Sequence, residues 1–154
     1  MLTAVDSNKL ISIVGEIKPP AINDRSGLPM CIVYTSMNRT LKALEKILEF
    51  ANPIRTSIEI VAVHTVPFML SLDEPPVPFK FIIRSLEKLV ARFPEQTRIS
   101  AYLCRDSLEA LKRVLDHHCP VVMGIKKRWW PTRDQRLARK LRRAGYNVII
   151  IETE

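Results

Sequence analysis

Residues 121–152, VVMGIKKRWWPTRDQRLARKLRRAGYNVIIIE, constrain the fold of this chain more than any other stretch. A short apolar run, Val121-Val122-Met123, stops at Gly124. A basic, aromatic loop from Ile125 to Pro131 follows. Thr132-Arg133-Asp134-Gln135 then fits a capping box, in which the Thr132 hydroxyl accepts from the Gln135 amide and the Gln135 side chain reaches back. Leu137, Ala138, Leu141 and Ala144 fall on one face of the helix so started, and Gly145 suits its left-handed end. A second apolar run, Val148–Ile151, closes the unit. Strand, loop, helix and strand in that order make a βαβ unit, which requires a parallel sheet. In such sheets ligands sit beyond the carboxyl ends of the strands, and helix N-termini favour anions.

The rest of the chain repeats this alternation. Residues 1–29 read as an N-terminal arm, with Leu10–Ile17 as a candidate accessory strand and Pro19–Gly27 as linker. Residues 30–154 read as one domain. Met30–Tyr34 is a continuous apolar run suited to a buried central strand. Thr35–Asn38 supplies the turn and the caps of a helix whose inner face is Leu41, Leu44, Ile47, Leu48 and Ala51. Ser57–His64 is a second strand, and the Pro-rich segment to Pro78 a loop suited to a lid or a dimer contact. Phe79–Phe93 is a second helix, with Ile82, Ile83, Leu86, Leu89, Val90 and Phe93 inward. Thr97–Cys104 is a third strand, and Asp106 caps a third helix lined by Leu108, Leu111, Val114 and Leu115. The expected fold is α/β: a five-stranded parallel, doubly wound sheet flanked by four helices, with an N-terminal extension.

Charge is concentrated rather than spread. Between Lys126 and Arg143 nine bases stand against Asp134 alone, which accounts for the whole net charge of +8. Such a field suits a polyanionic ligand or an acidic protein surface, or it simply keeps a helix face solvated. No apolar run approaches the roughly 20 residues of a membrane helix, so no insertion is expected. Leu10–Val14 is too short for a signal peptide, and Cys31, Cys104 and Cys119 show no CxxC spacing. A reduced, cytoplasmic setting follows, with the cysteines as small buried apolar residues. No metal-ligand spacing, Walker loop, dinucleotide fingerprint or nucleophile elbow is present, so neither a metal site, catalytic residues nor an enzyme is expected.

Several strings resemble one family. CIVYTSMNRTLKALEKILEFA, SIEIVAVHTVPF and DSLEALKRVLDHHCPVVMG are similar to the first strand and helix, the second strand and the third helix with its following strand in the universal stress proteins, which have an adenine-nucleotide α-hydrolase-like fold. The resemblance spans about four fifths of the chain. It implies a stress-response module, a homodimer paired through the last strand, and ATP or another adenine nucleotide as ligand. ATP-binding members follow Met-Gly with further glycines that wrap phosphate; here only Gly124 is present, and Lys126–Trp130 fill the positions beyond it. The loop is closer to that of the stress-protein-like module of osmosensing potassium-uptake histidine kinases, some of which bind cyclic di-AMP.

The candidate nucleotide site is therefore Thr35, Ser36 and Asn38 after the first strand, Val63 and His64 from the second, and Gly124, Lys126, Lys127, Arg128 and Thr132 from the fourth. Hydroxyls and amides suit ribose or base, and cations suit phosphate. Trp129 and Trp130 suit stacking or an interface, against the alternative that one packs beneath the loop. A protein that has lost nucleotide binding and offers its basic helix to an acidic partner is the second reading. Nucleic acid is the weakest of the three, since basic balance alone says little.

Overall fold

The computed structural model describes residues 11–12, 28–51, 56–66, 79–91 and 97–153. The elements run β1 (Ile11–Ser12), β2 (Leu28–Val33), α1 (Met37–Ala51), β3 (Thr56–Thr65), α2 (Phe79–Val90), β4 (Thr97–Cys104), α3 (Ser107–Val114), β5 (Val121–Lys126), α4 (Arg133–Arg143) and β6 (Val148–Thr153). The sheet order is β1-β4-β3-β2-β5-β6. Strands β2 to β6 are parallel, and β1 adds antiparallel to β4 through Ile11 and Ser12. The five-stranded parallel sheet with four helices is thus the architecture expected from the apolar runs. The proposed linker Pro19–Gly27, the segment through Pro78 and the side chains of Ile82, Ile83, Leu89, Val90 and Phe93 lie outside the described residues.

Two cores form because strand residues alternate between faces. Cys31, Val33, Val61, Val121, Met123 and Ile125 pack with Leu111, Ala138 and Leu141 of α3 and α4. Ile32, Ile58, Ile60, Ala62, Ile99 and Val122 pack with Ala43, Leu44, Ile47 and Leu86 of α1 and α2. Strand β5 is buried along its first five residues, the pattern of a strand covered on both faces.

Some boundaries differ from the sequence reading: β2 runs Leu28–Val33 and not Met30–Tyr34, because Leu28 and Pro29 pair with Thr56 and Ser57 of β3. Gly124 does not end β5. The strand runs on to Lys126 because Gly124, Ile125 and Lys126 stay in register with Ile151, Glu152 and Thr153 of β6. The loop proper is therefore only residues 127–131. Gly145, at φ 94°, holds the left-handed turn after α4.

Candidate functional site

The chain crosses from one half of the sheet to the other between β2 and β5. These strands are neighbours, pairing Cys31–Val33 with Val121–Met123. Helix α1 leaves β2 to one face, and α4 leaves β5 to the other. Their starts flank the crossing point at the carboxyl end of the sheet, the crevice position where doubly wound proteins place ligands.

Gly124 has a packing role at this point. A Cβ on it would overlap the carbonyl oxygen of Arg39 and lie 2.9 Å from that carbonyl carbon. Only glycine lets the first turn of α1 approach β5 so closely. The Gly124 carbonyl accepts a 2.8 Å hydrogen bond from the Thr35 hydroxyl, and the Thr35 amide donates to Thr40 Oγ1 at 3.3 Å. Ser36 caps α1, its Oγ accepting from the Arg39 amide at 3.4 Å. Asn38 is exposed on the first turn.

The facing helix start is similarly self-sufficient. Thr132 Oγ1 accepts from the Gln135 amide at 3.3 Å, and Gln135 Oε1 accepts from the Thr132 amide at 3.0 Å, the capping box expected from the sequence. Asp134 adds a negative charge to this first turn, where it complements the helix dipole. It also receives a 2.6 Å charge-assisted hydrogen bond from the guanidinium of Arg39. Both side chains are half-buried, so this pair ties α1 to α4 across the crevice.

Beyond the pair, the loop is open. Lys126, Lys127, Arg128, Trp129, Trp130 and Pro131 are all exposed, with Trp129 at 95% and Trp130 at 79%. Neither tryptophan packs beneath the loop. Lys127 lies 3.6 Å from Glu152, an exposed pair worth little. Lys126 and Arg128 have no ion-pair partner among the described residues.

The exit of β3 lies one strand further from the crossing point. Val63 packs on the α3–α4 core. His64 is half-buried, and its carbonyl accepts from the Cys104 thiol at 3.6 Å. The Thr65 and Ser107 hydroxyls are bonded at 2.8 Å. Cys31, Cys104 and Cys119 are free and buried, as the sequence suggested. Cys31 and Cys119 bring their sulfurs to 3.2 Å, and burial pushes all three thiols up, away from the nucleophilic thiolate. His117, in turn, stacks on Tyr146 with ring centroids 4.0 Å apart.

The surroundings of three residues escaped sequence reasoning. Arg39 and Asp134 are 95 positions apart, and nothing local marks them as partners. Thr153, level with Lys126 across β5 and β6, is buried, and its hydroxyl has no hydrogen-bond partner among the described residues. A buried hydroxyl in that state is uncommon in a folded protein.

The architecture is shared with a known group. A universal stress protein family member from Burkholderia pseudomallei superposes with a TM-score of 0.51 at 16% identity, over 83% of this chain and 98% of that one. The fold is that of the universal stress proteins. A second structure, a universal stress protein in complex with cAMP, aligns over 81% of this chain and 98% of that one at 17% identity, with a TM-score of 0.47. No protein-family model matches the sequence, and no curated protein matches it either. Among the described residues no helix is long and apolar enough to cross a membrane, and no group of three or more His, Cys, Asp or Glu could hold a metal ion.

Proposed function

We propose that this chain is a non-catalytic, cytoplasmic sensory module of the stress-protein type that binds an adenine-containing nucleotide at the crossing point. One observation carries the reading: Lys126 and Arg128 stand exposed and without a carboxylate partner at the exit of β5, beside the polar exit of β2. The hydroxyls of Thr35 and Thr132 are engaged within the protein, and Gly124 is needed for packing. Phosphate recognition therefore falls to side-chain cations instead of a wrapping glycine loop. Asn38 is the exposed polar side chain left for ribose or base, and an exposed tryptophan can stack on the base. ATP and cyclic di-AMP both meet these demands. Homodimerisation through β6 fits the same reading, since that strand ends the sheet with Ile149 exposed.

A second reading draws on the Arg39–Asp134 pair. The protein's own ions span the crevice, as they would in an interaction protein that binds an acidic partner and no nucleotide. Thermal-shift titration with ATP, ADP, AMP, cyclic di-AMP and cyclic AMP separates the two. A ligand that binds only the folded state adds about 2.7 kcal/mol at a hundred times its dissociation constant. We expect a saturable rise of several degrees for one nucleotide, lost in Lys126→Ala/Arg128→Ala. No rise for any of them at millimolar concentration overturns the sensor reading and leaves the second.

A further inference from the structure

The outer face of α4 is not accounted for by the crevice. Arg136, Arg139, Lys140 and Arg143 recur at i, i+3, i+4 and i+7, opposite the buried Ala138 and Leu141. All four are exposed, and none has a carboxylate partner among the described residues. They form a cationic stripe about 10 Å long, at 1.5 Å per helical residue. Neighbours on the stripe repel one another at each turn, and only Lys140 and Arg143, in the last turn, complement the helix dipole. The stripe begins one turn after the loop that exposes Trp129 and Trp130.

We propose that this surface binds single-stranded nucleic acid, with phosphates along Arg136–Arg143 and bases stacked on Trp129 and Trp130. A cationic track beside open aromatic faces is the pairing such strands require. A duplex keeps its bases stacked inside and offers the indole rings no free face. A membrane-surface helix needs its apolar side for the lipid, and α4 has spent that side on the core. The proposal needs neither the crevice nor Lys126 and Arg128, and it shares only the exposed tryptophans with the nucleotide reading.

The test is fluorescence anisotropy of labelled 15-residue oligo-U and oligo-dT with the full chain, from 50 to 300 mM KCl, with intrinsic tryptophan emission followed in parallel. Saturable binding is expected, with log K falling by about 3 per decade of salt for four phosphates at roughly 0.7 each. Trp129→Ala/Trp130→Ala is expected to weaken binding about tenfold or more and keep that slope. Arg136→Gln/Arg139→Gln/Lys140→Gln/Arg143→Gln is expected to flatten the slope, with circular dichroism confirming the fold. Lys126→Ala/Arg128→Ala, the variant on which the nucleotide reading turns, is expected to keep both the tryptophan quench and most of the slope. A preference for oligo-U assigns RNA, and equal affinity assigns either strand; both support the proposal. It is overturned by no saturable binding at 50 mM KCl, by binding that both variants leave unchanged, or by binding to phosphatidylserine vesicles in place of the oligonucleotides.

Discussion

Helices α1 and α4 pack on opposite faces of the same sheet and differ most in their outer surfaces. Both bury an apolar stripe, Ala43, Leu44 and Ile47 in α1 and Ala138 and Leu141 in α4. Both begin at a hydroxyl cap, Ser36 and Thr132. Outside, α1 exposes Lys42, Glu45, Lys46 and Glu49, an even mixture of signs, whereas α4 exposes Arg136, Arg139, Lys140 and Arg143 and no acid. The balanced surface of α1 is sufficient for a helix in this fold. The excess on α4 goes beyond what that comparison requires, and each like-charged pair at i,i+4 costs about 0.2–0.5 kcal/mol.

If the inner faces are equivalent, truncating either must hurt equally. Leu44 and Leu141 are both fully buried. Leu44→Ala and Leu141→Ala should each lose about 2–5 kcal/mol in urea unfolding, with the spread set by how far each cavity collapses. A loss confined to one of them would break the comparison. Gly124→Val tests the close approach of α1 to β5. Overpacking against the Arg39 backbone should cost about 1–3 kcal/mol in the same measurement. Thr132→Ala removes the α4 cap, and thermal unfolding should register about 1 kcal/mol. A smaller effect has the opposite sign. Arg139 is flanked by Arg136, Arg142 and Arg143 at helical spacing, so Arg139→Glu should stabilise the protein by about 0.5–1 kcal/mol at low ionic strength. The gain should fade near 1 M salt, where the screening length is about 3 Å. Lys46→Glu on the mixed surface of α1 should change stability by less than about 0.5 kcal/mol. Destabilisation by Arg139→Glu would show that the basic face helps the fold after all.

The elements were legible in the sequence because each carries its own period. Continuous apolar runs marked the buried parallel strands, and 3.6-residue apolar spacing marked the inner faces of α1, α3 and α4. The Thr132–Gln135 box and Gly145 fixed both ends of α4, since caps depend on residues within one turn. The end of β5 was misplaced at Gly124 because a glycine reads as a break, whereas pairing with β6 carries the strand two residues further.

What lies between elements was not legible. Sequence pattern supplied the strand–helix alternation, the concentration of charge from Lys126 to Arg143 and the burial of the three cysteines. Tertiary structure alone decided that β2 and β5 are neighbours, that Gly124 faces the Arg39 backbone, and that Arg39 reaches Asp134 across the crevice. It also decided that both tryptophans stand in solvent. The division has a physical cause. Periodicity and capping are set by residues within a turn of one another, whereas close approach, ion pairing at long range and exposure depend on how whole layers pack.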